Sequence, residues 1–224
     1  MHKKLHLLFG FICFISFISL SIIVYLNFQN GPLIFSSWLD ESLLQNFIID
    51  QRTKLLTDIF KSYTLIFGPL WGIASALLIA LLILIFKKKS RWITLLYFLV
   101  IVLSSVALNM GLKLLIHRER PDLVPLTTET SLSFPSGHTI FATVIIWSLL
   151  LIICSQIKST FLKFFLTFIA LILIFLVMIS RVYLGVHYPS DTLAGFLLGL
   201  SILHLSYPLF YKLSHPFRGR HQRY

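Results

Sequence analysis

Along this chain, long apolar runs are separated by short polar strings. A membrane-spanning helix needs roughly 20 largely uncharged residues, and six runs qualify: 5–28, 62–86, 92–112, 139–157, 161–180 and 192–211. Lys163 falls near the start of the fifth, where a lysine can reach back to the headgroups. The runs are continuously apolar, without the two-residue alternation of barrel strands, so they predict helices and exclude a β-barrel. Between the first two, residues 29–61 place Leu39, Leu43, Leu44, Phe47, Ile48, Leu55, Leu56, Ile59 and Phe60 among charges. That pattern predicts an amphipathic helix on the membrane interface, bordering a lipid access route; a linker covering helix ends fits it equally well.

Composition gives the same class. Apolar residues make up 57% and charged residues 12% of the 224 positions, with mean hydropathy +0.89. A soluble domain of this size could not hide so much apolar surface. The expectation is an all-α, polytopic membrane protein with six transmembrane helices, forming a single membrane-embedded domain over 1–224. The first run follows Lys3 and Lys4 but exceeds the roughly 7–15 apolar residues of a signal peptide, and 27–30 offers no small-x-small cleavage site, so it reads as a retained anchor. Cys13 and Cys154 fall within spans, where they pack and do not bridge. No Asn-x-Ser/Thr sequon occurs.

Charge sets the orientation. With the N-terminus inside, twelve of the nineteen lysines and arginines fall on the cytoplasmic side, at Lys3, Lys4, Lys87, Lys88, Lys89, Arg91, Lys158, Lys163, Lys212, Arg218, Arg220 and Arg223. All eight acids fall outside: Asp40, Glu41, Asp50, Asp58, Glu119, Asp122, Glu129 and Asp191. The net charge of +11 then anchors the chain to anionic membrane lipid, and nucleic acid is a poor second as a partner. Both termini are expected in the cytoplasm.

The same helix parity brings three polar strings to the outer face: Lys113–Pro121, Pro135–His138 and Ser180–Asp191. The first two lie in or beside an outer loop over 113–138. His187 and Asp191 stand four apart at a helix start, where a carboxylate can hold one imidazole nitrogen and leave the other free to attack; a structural ion pair has the same spacing. Ser136 and Gly137 open a helix whose N–H groups suit an anion, and His138 beside them is placed to protonate a leaving oxygen; an ordinary helix cap fits too. Lys113, Arg120 and Arg181 converge on one face with few acids near, which suggests a bound anion such as phosphate. Singly, each fits snorkelling or an ion pair with Glu119 or Asp122. His117, Arg118 and Glu119 read as a wet loop in preference to a gate. Tyr183 is expected to pack, and Gly185 to allow close backbone approach.

Lys113-x6-Arg120-Pro121, Pro135-Ser136-Gly137-His138 and Ser180-Arg181-x5-His187-x3-Asp191 together resemble the three-part signature of the type 2 phosphatidic acid phosphatase superfamily, with no departure at any of its positions. The six-helix layout resembles the bacterial membrane branch. That resemblance implies a hydrolase without metal or other cofactor, acting on the terminal phosphate of phosphatidylglycerophosphate, phosphatidate or undecaprenyl pyrophosphate in the bacterial cytoplasmic membrane. It implies that His187, aligned by Asp191, attacks phosphorus, that His138 protonates the leaving oxygen, and that Lys113, Arg120, Arg181, Ser136 and Gly137 hold the phosphate. A phosphotransferase using the same phosphohistidine and a non-enzymatic phospholipid carrier are the alternatives. Oligomeric state is not legible.

Overall fold

The computed structural model describes residues 2–30, 39–40, 48–87 and 90–214. Of the sequence expectations, Leu43, Leu44 and Phe47 of the interfacial segment, the loop cations Lys88 and Lys89, and the tail cations Arg218, Arg220 and Arg223 lie outside the described residues.

The described chain is helical: α1 (His2–Asn30), α2 (Lys54–Leu65), α3 (Pro69–Phe86), α4 (Arg91–Ile116), α5 (Gly137–Cys154), α6 (Thr160–Tyr183) and α7 (Pro189–Ser214). Five of these, α1 and α4 to α7, are long and apolar enough to cross a membrane on their own. This is a multi-pass membrane protein. Apolar side chains such as Leu77, Leu103, Phe164 and Phe175 face outward, as expected where lipid is the solvent.

The second expected span is not one straight helix. It is the pair α2 and α3, bent by 53°. Pro69 cannot donate an N–H and disfavours helical backbone in the residue before it, and Gly68 is accordingly extended at φ −75°, ψ 174°. Ahead of the break, α2 tightens into i→i+3 bonds from the Phe67 and Gly68 amides to the Thr64 and Leu65 carbonyls. At its other end Thr53 caps the helix through Oγ1 to the Leu56 amide. In this part of the segment read as interfacial, Leu56 and Phe60 pack with Ile48 on Tyr183, Leu184 and Val186, while Leu55 and Ile59 stay exposed.

Helix α7 packs against α1, α4, α5 and α6. One core joins α1, α5 and α7 through Phe17, Val24, Ile140, Trp147, Leu198 and Leu203. A second joins α3, α4 and α5 through Ile79, Ile83, Phe98 and Ile145. Small residues on facing ridges let helix backbones come together in a bilayer, and α7 meets α5 through Gly195 and Gly199. A β-carbon at Gly195 would stand 2.8 Å from the Ser136 carbonyl oxygen, and one at Gly199 2.8 Å from Thr143 Cβ. Close packing at this end sets the starts of α5 and α7 side by side.

Candidate active site

Four helix ends and one loop converge there: the ends of α4 and α6 and the starts of α5 and α7. Helix α4 stops at His117, whose left-handed backbone (φ 53°) caps the Lys113 carbonyl. The chain beyond carries Arg118 inward and Arg120 toward the start of the Val186–Tyr188 turn. The amide of Ser136, at the N-terminus of α5, donates to the Asp191 carbonyl at 3.0 Å. That bond ties the start of the helix carrying His138 to the start of the helix carrying Asp191.

His187 is 2% exposed and Asp191 fully buried. His187 Nδ1 lies 3.4 Å from Asp191 Oδ2 and 3.4 Å from Ser133 Oγ. The same Oδ2 accepts hydrogen bonds from Ser133 Oγ at 2.5 Å and from the Tyr188 amide at 2.9 Å. The expected histidine–carboxylate pair is therefore present, with Nδ1 on the carboxylate side. Burial, helped by the Arg181 and Arg120 charges and opposed by Asp191, pushes the His187 imidazole down to about 3. It is neutral at physiological pH.

Arg118 does not decorate a wet loop, contrary to the sequence expectation. Its guanidinium is buried, donating from Nη1 to Asp191 Oδ1 and Ser190 Oγ and from Nη2 to Asp40 Oδ2, each at 2.7 Å, with the Tyr188 ring 3.8 Å away. Asp40 also accepts from the Ser190 amide and hydroxyl, at 2.9 and 2.7 Å. Burial works against the Arg118 charge, but Asp191 and Asp40 together raise its pKa. Polar loop residues give no sequence signal of such burial, and Asp40 lies 78 positions away.

Lys113, Arg120, Arg181 and His138 surround one carboxylate, that of Glu129. Arg181 Nη2 donates to Glu129 Oε1, His138 Nδ1 stands 3.9 Å from the same oxygen, and Arg120 Nη2 stands 3.8 Å from Oε2. Lys113 Nζ donates to the Leu132 carbonyl. Arg120 is braced by the Ser131 and Val186 carbonyls at 2.7 and 2.6 Å. Arg181, 1% exposed, keeps Nε without a hydrogen-bond partner among the described residues. The carboxylate that Arg120 and Arg181 meet is Glu129, where the sequence offered Glu119 or Asp122 as the ion-pair alternative to a bound anion. Glu129 shares the stretch between Arg120 and His138 with Asp122, and nothing in the sequence set it apart from that acid.

The Ser136 amide is engaged by Asp191, and its hydroxyl accepts from Thr139 Oγ1 at 3.1 Å; Gly137 is half-buried beside Asn109. Tyr183 does more than pack: its hydroxyl accepts from the Thr53 amide at 2.9 Å and donates to the Thr53 carbonyl at 3.1 Å, latching the start of α2. Gly185 has φ 74°, where a side chain is strained, and a β-carbon there would lie 3.3 Å from the Val124 carbonyl oxygen, so the backbone approaches closely, as expected, and glycine is favoured. Gly68, at the bend, faces His138, its notional β-carbon 3.4 Å from Nε2.

Buried cations gathered round an anion, with two histidines at a bundle end, define a membrane phosphatase, and the chain belongs to the PAP2 superfamily, whose family model matches residues 94–214. It is 40% identical over 139 residues to phosphatidylglycerophosphatase B of Bacillus subtilis (strain 168), a match covering 59% of this chain and 67% of that protein. A crystal structure of a transmembrane PAP2-type phosphatidylglycerolphosphate phosphatase from Bacillus subtilis superposes with a TM-score of 0.72 at 27% identity, over 94% of this chain and 98% of the other. LpxE of Aquifex aeolicus shares the fold, with a TM-score of 0.53 at 24% identity over 73% and 93% of the two chains.

Proposed function

We propose that this phosphatase removes the terminal phosphate of a membrane lipid through a phosphohistidine at His187, without a metal ion. The observation that carries the reading is the Glu129 carboxylate held by Arg181 and flanked by Arg120 and His138: it marks where an anion's oxygens sit. A substrate phosphate entering there exchanges one anion for another, and gains the unpartnered Arg181 Nε. Lys113, Arg120, Arg181 and the Gly137 amide neutralise charge on the equatorial oxygens, while Ser136 fixes the turn. These cations do the work that a metal ion does in other phosphatases.

In this scheme neutral His187 attacks phosphorus through Nε2, since Nδ1 faces Asp191. As the N–P bond forms, the bond to the lipid oxygen breaks and His138 delivers a proton to that oxygen. Water then attacks phosphorus, His138 accepts its proton, the N–P bond breaks and inorganic phosphate leaves. Phosphatidylglycerophosphate is the first substrate to test, by likeness to the Bacillus subtilis proteins; phosphatidate and undecaprenyl pyrophosphate satisfy the same anion chemistry. The site faces the extracytoplasmic leaflet and both termini the cytoplasm of a bacterial membrane.

The test is phosphate release from these three lipids by purified protein in excess chelator. Release that persists with chelator, disappears in His187→Ala and falls about 10²- to 10⁴-fold in His138→Ala, the usual contribution of a general acid, is the expected outcome. An acid-quenched protein carrying labelled phosphate on His187 completes it. Strict dependence on added magnesium, or full activity in His187→Ala, overturns the scheme.

A further inference from the structure

At the other end of the bundle from the histidines lies a cavity of about 500 Å³ between α3, α4, α5 and α7. Its distance from the phosphatase site follows from α4: Thr94 lines the cavity and Lys113 the site, and at 1.5 Å per residue they are about 28 Å apart along the helix. The volume is in the range of small-molecule sites, about 300–1,000 Å³. Its floor is apolar, from Ile83, Phe98 and Ile152, and its mouth carries Lys87, Ser90 and Thr94.

Two independent features of the mouth call for an anion. Helix α4 begins here, and its N-cap Ser90 makes no side-chain hydrogen bond to the first turn, so the leading N–H groups and the positive end of the helix dipole face the opening. Separately, Thr94 lines the cavity and is 5% exposed, and its buried Oγ1 has no hydrogen-bond partner among the described residues. A buried hydroxyl left unpaired is costly. Lys87 adds the charge: Nζ donates to Ser155 Oγ at 2.5 Å, and an ammonium has further N–H groups to give.

We propose that this cavity binds one anionic phospholipid of the adjoining leaflet, its phosphate on Lys87, Thr94 and the α4 N-terminus and its acyl chain along the apolar floor. Membrane position and the continuity of polar mouth with apolar floor favour an amphiphile over free phosphate. Net negative charge is favoured over a zwitterion because Lys87 is the one charged side chain lining the cavity among the described residues, and the sequence over 87–91 is Lys-Lys-Lys-Ser-Arg. The bound lipid would bridge four helices, distinct from the substrate.

Native mass spectrometry of the full-length protein in detergent, titrated in parallel with phosphatidylserine, phosphatidylcholine and inorganic phosphate, tests this. The wild type is expected to bind a first phosphatidylserine about ten-fold more tightly than phosphatidylcholine. Lys87→Gln and the near-isosteric Thr94→Val should each weaken it by about ten-fold, the scale of one charge-assisted hydrogen bond, with phosphate release unchanged and no fall in melting temperature. Equal affinity for the two lipids overturns the proposal, as does phosphatidylserine binding unaltered in both variants. Tight inorganic phosphate binding that both variants abolish also overturns it, by making this a free-anion site.

Discussion

Arg118 shows what a single buried side chain contributes to this site. It touches neither histidine, yet it holds one oxygen of Asp191 while Ser133 and Tyr188 hold the other, and so fixes the carboxylate that faces His187. Arg118→Gln leaves Asp191 and Asp40 buried without their shared cation. A hydrogen bond to a charged group contributes about 1.5–3 kcal/mol, so kcat should fall about 10- to 100-fold with KM little changed, because Arg118 positions and does not bind. Arg118→Lys should recover part of kcat, and steady-state kinetics beside thermal melts separate this from simple unfolding. His187 gives a second prediction, in pH. Its folded pKa of about 3 lies below the ordinary 6.5, so between the two the unfolded chain binds more protons and stability rises with pH. Stability from this group is complete above about pH 6.5 and is lost as pH falls toward 3; His187→Gln should flatten that acid limb in melts recorded from pH 7 to 4. Lys113, Arg120, Arg181, His138 and His187 stood out in the sequence because charge beside an apolar span needs a partner. Arg118, Ser133, Asp40 and Glu129 were not, since each is an ordinary polar residue until the left-handed turn at His117 and the packing of α7 bring them inward.

Helix pairing explains why the two histidine-bearing elements meet. The Gly195 and Gly199 face of α7 leaves no room for side chains against α5, but the two glycines oppose different atoms. Gly199 faces the Thr143 side chain, whose β-carbon is fixed to the backbone. Gly195 faces the Ser136 carbonyl, one residue from the turn that opens α5. Gly199→Ala should therefore destabilise the bundle by overpacking, about 1–3 kcal/mol, while kcat of the folded fraction is retained. Gly195→Ala should lower both the melting temperature and kcat, because it pushes on the turn bearing His138. Thermal melts with single-turnover rates distinguish the two; loss of kcat in Gly199→Ala without loss in Gly195→Ala would contradict this packing. The spans themselves were legible from hydropathy, except that the run over 62–86 crosses from the last residues of α2 into α3, since an apolar window does not register a break. The Gly68-Pro69 dipeptide was the signal for it. The bend matters to the site, because it brings Gly68 against His138.

Charge and length together orient the whole molecule. Between Arg91 at one end of α4 and Lys113 at the other lie 22 steps of about 1.5 Å, roughly 33 Å, close to the ~30 Å of hydrocarbon in a bilayer. The cation cluster around Glu129 and the Arg91 start of α4 are therefore a membrane thickness apart, which predicts that they lie on opposite membrane faces. Lysine and arginine in short loops tend to stay cytoplasmic, which predicts the Lys87 end inward and His138 and His187 outward. With the bent α2–α3 pair crossing once, the described helices make six passes, and α1 and α7 then begin and end on the same side. A soluble short-chain lipid phosphate that cannot cross the bilayer turns this into a measurement. Sealed right-side-out vesicles should release phosphate from it at the full rate, and inverted vesicles only after permeabilisation. The reverse pattern would place the site in the cytoplasm. It would also mean that the twelve cations assigned inward face outward, against the bias that normally sets topology, so the result tests the charge argument and the site's sidedness together.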